Sequence, residues 1–184
     1  MPTVLTIIII ILALIVLFII FLYNGLIRLK NEVENSFAQI DVQLKRRNDL
    51  IPNLVNTVKG YMKHEKSVLE TVTQARTSIM KATSIQQKAK ASNQISEALK
   101  TIFAVSENYP TLRANENFLQ LQEELTGTEN KVAYSRQHYN DVVMKFNNKI
   151  QVFPNNLMAN SLGFKEKELF AATDAERKKL EVKF

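Results

Sequence analysis

The sequence predicts an all-α protein: an N-terminal transmembrane helix followed by an antiparallel helical bundle made of a long helix pair and two shorter helices. Three observations carry this. Gly and Pro number four each and Trp and Cys are absent, while Ala, Leu, Lys, Gln, Glu and Asn are plentiful, a composition that favours helix over sheet. Val4 to Leu22 is an almost uninterrupted apolar run. Beyond it, apolar residues recur at alternating spacings of four and three, the period of a helix face packed on partner helices.

In the apolar run VLTIIIIILALIVLFIIFL, Thr6 is the only polar side chain and no charge precedes Arg28. At about 1.5 Å per residue it spans roughly 28 Å, close to the hydrocarbon thickness of a bilayer. A cleaved signal peptide calls for a basic start, a shorter apolar stretch and a small-residue cleavage site. The run matches an uncleaved signal anchor instead, so residues 1–23 are assigned to the membrane. Arg28 and Lys30 follow it closely, and Lys45, Arg46 and Arg47 lie farther on. The excess of positive charge on this side predicts a single-pass protein of the cell (inner) membrane, with a short N-terminus outside and the helical domain cytoplasmic. Tyr23 suits the interfacial belt, or is an ordinary helical tyrosine.

The first soluble helix is predicted to continue from the membrane to about Tyr61, with Val33, Phe37, Ile40, Leu44, Arg47, Ile51, Leu54 and Val58 on one face. Pro52 lies inside it and predicts a kink near Asn48 to Pro52, because the apolar spacing continues beyond. A second helix from His64 to Ala82 carries Val68, Val72, Ala75 and Ile79. Thr83 and Ser84 then supply N-cap chemistry for a third helix ending near Tyr109 and Pro110. Its seam of Ile85, Lys88, Ser92, Ile95, Leu99 and Ile102 is polar in its first half, which predicts fraying or partial cover. The fourth helix is predicted from Ala114 to Phe153, with Gly127 marking either a close helix contact or a tolerated defect.

Short loops make these helices antiparallel. Helices one and four each come to roughly 55 to 60 Å outside the membrane, far longer than two and three. The expected organisation is an antiparallel four-helix domain over residues 24–153 whose membrane-proximal half is a two-helix stalk. The tail, residues 154–184, is expected to dock at that membrane-proximal end, since Leu157, Met158, Leu162, Phe164, Leu169, Phe170, Leu180, Val182 and Phe184 are too apolar for a solvated tail.

The net charge of +6 is concentrated on the first three helices: Arg28 to Lys100 holds thirteen basic and seven acidic residues. No nucleic-acid reader motif accompanies it, and a basic surface facing anionic lipid is the simpler reading. Arg47 occupies a seam position, level in an antiparallel pair with Glu124 to Glu129. An ion pair from Arg47 to Glu124 or Glu129 would fix the register of helices one and four; alternatively the arginine lays its stem on the seam and its head in water. Arg46, Asp49, Asn53 and Asn130 complete a candidate structural or interaction patch. No catalytic residue, cofactor or metal site is predicted. The paired Glu-x-x-His motifs of a di-iron bundle are missing, as are the Gly-rich phosphate loop, GxSxG and HExxH. His64 and His138 are expected to be ordinary turn and helix residues.

The stretch YNGLIRLKNEVENSFAQIDVQLKRRNDLIPNLVNTVKGYMKHEKSVLETVTQAR, then ENFLQLQEELTGTENKVAYSRQHYND and NNKIQVFPNNLMANSLGF, closely resembles the LemA family of bacterial membrane proteins. The resemblance covers nearly the whole chain and is strongest at RRNDLIPNL, LQEELTGTEN and the FP followed by GF. It implies one N-terminal membrane helix, a short outer N-terminus and a helical domain inside, and it carries over no established activity or catalytic residue. The chain departs from the pattern near its end, where Leu180 and Glu181 stand in a region in which compared members often have proline.

Function is therefore expected to be that of a non-enzymatic, membrane-anchored scaffold or interaction protein, with the lipid bilayer and a membrane or envelope protein as partners. Exposed stalk seams also allow a homo-oligomer. The alternative is a regulator or enzyme using the patch around Arg46, Arg47, Asp49, Glu124 and Glu129. A pilin-like filament subunit ranks below both, because the basic leader and processing glycine of a prepilin are missing.

Overall fold

The computed structural model describes residues 2–171. All its regular elements there are helices: α1 (Pro2–Lys59), α2 (Lys66–Lys81), α3 (Ile85–Ser106), α4 (Pro110–Arg113), α5 (Glu116–Gln151) and α6 (Asn155–Ser161). The predicted order is recovered with two short additions, the single turn α4 and the two-turn α6, and with α3 ending at Ser106 rather than near Tyr109. Pro52 sits inside α1 without ending it.

The chain divides into two compact units. Among the described residues, one unit holds those up to Phe37 together with His138–Glu168, and the other holds Ala38–Gln137 with those from Leu169 onward.

The first unit contains segments of α1 and α5 with α6, and nothing of α2 or α3. Phe37 and Tyr139 face each other with ring centroids 5.6 Å apart. Seven residues back along α1, Lys30 shares a groove with Phe146, seven residues forward along α5, so the two segments are antiparallel. The α1 side chains from Val4 to Phe21 are nearly all large, apolar and 46 to 75% exposed. An apolar helix uncovered all round calls for a solvent other than water. By length and composition it is a candidate membrane span, and it supports a membrane location.

After α5 the chain turns back through α6. Gly163, at φ +72°, ends α6: its N–H donates to the carbonyl of Asn160, and that of Phe164 to Ala159 at 2.9 Å. That pattern closes the last turn only if the residue after the C-cap is left-handed, which glycine adopts at least cost. An extended strip follows, held to α5. The Asn147 side-chain amide donates to Lys167 O at 2.9 Å and accepts from Lys167 N at 2.8 Å, while Tyr139 Oη donates to Glu168 O at 2.8 Å. Not all the tail is covered as expected, since Leu157 and Leu162 stay 62% and 52% exposed. Docking of Leu180, Val182 and Phe184 lies outside the described residues.

The second unit is a bundle of four helix segments, from α1, α2, α3 and α5, with the turn α4 between α3 and α5. Ile51, Leu54 and Val58 of α1 pack with Val72 of α2, Ile95 and Ile102 of α3 and Phe118 and Leu125 of α5, the four-three residues of each seam. Phe103 meets Phe118 edge-on at 6.3 Å. Local devices start α5 and α3. Asn115 Oδ1 accepts from the N–H of Phe118 at the head of α5. Ser84 and Gln87 form a reciprocal capping box on α3, which satisfies two N–H groups that the helix cannot pair itself. A Cβ built on Gly127 meets nothing within 4 Å, so that glycine marks no close helix contact.

Candidate functional site

Within the second unit, Tyr61 Oη accepts from Asn115 Nδ2. Fourteen residues back along α1 is Arg47, and fourteen forward along α5 is Glu129; they form an ion pair. The antiparallel register thus brings the seam arginine opposite Glu129, the last residue of the predicted range. Arg47 is fully buried, whereas the Glu129 side chain is 43% exposed.

α3 supplies the rest of the site. Arg47 Nη2 donates to the Ser92 carbonyl at 3.2 Å and to Ser92 Oγ at 2.8 Å, and Nη1 donates to Ser96 Oγ at 3.1 Å as well as to Glu129. Ser96 Oγ in turn donates to the other Glu129 oxygen at 2.7 Å. One turn before Ser92, Lys88 Nζ lies 2.7 Å from both carboxylate oxygens of Asp41 on α1. Toward α5, Arg136 Nη1 donates to Asn93 Oδ1 at 3.1 Å, and its guanidinium stands 5.3 Å from the centre of the Phe170 ring. Lys88, Ser92 and Ser96 recur at four-residue spacing and so share one α3 face. The polar half of that seam is therefore matched by ionic partners rather than frayed.

Electrostatics follow from burial. Desolvation lowers the pKa of the Arg47 guanidinium; the charge and hydrogen bonds of Glu129 oppose this, and the like charge of Arg136 pushes the same way as burial. A buried guanidinium stays charged only when paired and hydrogen-bonded, and here only its Nε hydrogen lacks an acceptor.

The other predicted patch residues are not part of this cluster. Arg46, Asp49, Asn53 and Asn130 are exposed, and Asp49 pairs with Lys45 one turn earlier at 2.6 Å. Glu124, the other predicted partner of Arg47, is one residue short of Leu125 and half-buried, and the ion pair is made by Glu129. Ser92 and Ser96 were not anticipated as partners of Arg47, although Ser92 at a seam position was the available signal. Chemically, the cluster offers a fixed cation, a carboxylate and two hydroxyls, all bonded to one another. The nearby groove along Asp41, Lys45, Asn48, Asp49 and Lys88 is not lined by Arg47 or Glu129. Among the described residues, no three His, Cys, Asp or Glu side chains are grouped to hold a metal ion.

Comparison with known proteins finds relatives along most of the chain. Protein LemA of Metamycoplasma hominis is 29% identical over 159 residues, covering 84% of this chain and 71% of its own. Magnetosome protein MamQ 2 of Paramagnetospirillum magneticum is 24% identical over 174 residues, and MamQ of Magnetospirillum gryphiswaldense 22%; both alignments cover 80% of this chain. This chain spans 64% of the length of those MamQ proteins. The LemA family profile matches residues 36–184, a stretch that contains Arg47, Ser92, Ser96, Glu129 and the whole of α5, and the chain accordingly belongs to the LemA family.

Proposed function

We propose that the protein is a non-enzymatic, single-pass scaffold of the bacterial cell membrane, whose helical domain presents a rigid surface to a membrane or envelope protein. The observation that carries this is the closure of the Arg47 cluster. The one strongly buried charge in it donates from both Nη groups to Glu129, Ser92 and Ser96, and a group so engaged positions helices rather than reactants. The candidate span supports anchoring, and the basic residues that follow it support a cytoplasmic helical domain with a short N-terminus outside. The relatives are named for a family and for the magnetosome, not for a reaction.

The regulator or enzyme alternative needs a cleft converging on Arg47 and Glu129, which the surrounding grooves do not favour. Cross-linking of the full chain in intact membranes, with partners identified by mass spectrometry, tests the scaffold reading. A reproducible protein partner whose cross-links map to the exposed faces of α2, α3 or α5 is expected. Cross-links confined to the chain itself would defeat it. Topology is tested by thiol labelling: cysteines placed at Arg46 and Asn130 should react only after the membrane is permeabilised, and reaction in intact cells would reverse the orientation.

A further inference from the structure

Two contiguous grooves in the first unit lie where the apolar part of α1 gives way to its charged part. One, of about 580 Å³, is lined by Phe18, Ile19 and Leu22 of α1 and by Leu157, Met158 and Leu162 at and beside α6. The second, of about 480 Å³, shares Tyr23 and Leu162 with it and carries Lys30, Lys165 and Lys167 with no acidic residue in its lining. Leu157 and Leu162 in the apolar groove are 62% and 52% exposed, and Val152 and Phe153, just before its Pro154, are 51% and 78% exposed. Residues of this kind beside a span gain by contact with acyl chains, and lysines one step farther out reach the headgroup level.

We propose that these grooves form one phospholipid site: acyl chains lie along Phe18, Leu22, Leu157 and Leu162, and the phosphate of an anionic headgroup meets Lys30, Lys165 and Lys167. Charge and depth together select this ligand. A free phosphate accounts for the lysines but not for the apolar groove, and a neutral lipid accounts for the groove but not for three cations. Glu34 stands 4.0 Å from Lys30, an exposed pair one turn apart that a phosphate displaces at little cost. Glu166 points to Gln151, with the amide nitrogen 2.8 Å from the carboxylate. The site rests on α1 crossing the bilayer.

The test is native mass spectrometry of the full chain released from nanodiscs containing equal phosphatidylglycerol and phosphatidylcholine, beside alkaline extraction of the same chain from vesicles. The expected result is a chain that resists extraction and retains phosphatidylglycerol selectively. Lys165→Gln with Lys167→Gln should lower that selectivity about 25-fold, from roughly fivefold per lysine, while helix content and resistance to extraction stay unchanged. Equal retention of both lipids, or selectivity unaltered in the variant, overturns the site alone. A wild-type chain stripped by alkali overturns the anchoring, and the site with it. Because the chain has no cysteine, Leu157→Cys provides a second readout. A spin label there should collide with oxygen in lipid; a disulfide to a second copy in its place would assign the groove to a protein contact and overturn the lipid.

Discussion

Glu129→Ala should destabilise the protein more than Arg47→Met, although both break the same ion pair. Arg47 is fully buried and Glu129 is 43% exposed, so the two truncations leave unlike residues behind. Without Glu129, a buried cation keeps its bonds to Ser92 and Ser96 but loses its counterion. Breaking a buried pair in this sense costs about 3 to 5 kcal/mol, and access of water from the Glu129 side puts the value near the lower end, about 3 kcal/mol. Without Arg47, the glutamate turns to water, methionine fills much of the vacated volume, and the burial cost of the guanidinium disappears. The loss is then about 1 kcal/mol, because the burial cost that disappears offsets most of the three lost hydrogen bonds to α3. The double variant should resemble Arg47→Met alone, giving a coupling of about 3 kcal/mol. The assay is urea unfolding of the full chain in detergent, followed by far-ultraviolet circular dichroism. An Arg47→Met variant less stable than Glu129→Ala, or a coupling below about 0.5 kcal/mol, would refute the argument that Arg47 is held by Glu129 and not by its packing.

Gly127→Ala should stabilise α5 by about 1 kcal/mol, since the new methyl meets no neighbour within 4 Å and the helical glycine is conformationally costly; unfolding midpoints in urea read this directly. Asn147→Ala removes both hydrogen bonds to Lys167 and should speed amide exchange from Phe164 to Phe170 while leaving α5 protected, an effect that exchange mass spectrometry on detergent-solubilised protein resolves. Burial, with the nearby charge of Glu168, raises the Tyr139 phenol to about 12. Its folded pKa exceeds the unfolded value near 10, so the stability it contributes is complete below pH 10 and is lost as pH rises toward 12, by about 2 kcal/mol. Tyr139→Phe lacks that loss: it should be about 1 kcal/mol less stable than wild type at pH 8 and the more stable of the two above pH 11.

The helices were legible because each writes its period and its ends into the chain. Val33, Ile40, Leu44, Ile51, Leu54 and Val58 are all buried on α1, and Ser84 caps α3 through the serine and glutamine that a capping box requires. The register was legible as well, because a helix pair joined through a distal turn leaves few choices: counting from that turn put Arg47 opposite a window that ends at Glu129. Within that window sequence alone could not choose, since Glu124 and Glu129 differ in which face of α5 they occupy relative to a third helix. The turns α4 and α6 were missed for a different reason. Each depends on a few residues around a proline, Pro110 and Pro154, and is too short to show a period.

The polar half of the α3 seam shows what a one-helix reading leaves out. Lys88 and Ser92 stand at positions where the period calls for apolar residues, and taken alone they predict a loose helix. Arg47 stands at the same kind of position on α1 and, taken alone, predicts a side chain reaching for water. Each anomaly is the other's explanation: Ser92 gives Arg47 two acceptors, Ser96 joins it to Glu129, and Lys88 meets Asp41 six residues before Arg47. Coincident polar substitutions on facing seams give α1, α3 and α5 a single register in which all these partners meet, whereas sliding any one helix by a turn strands a buried guanidinium. An apolar seam of the same size tolerates such slips more readily. Under the proposed scaffold role, a surface held in one arrangement gains more from that specificity than from added stability, and residue types common in active sites serve here to fix a register.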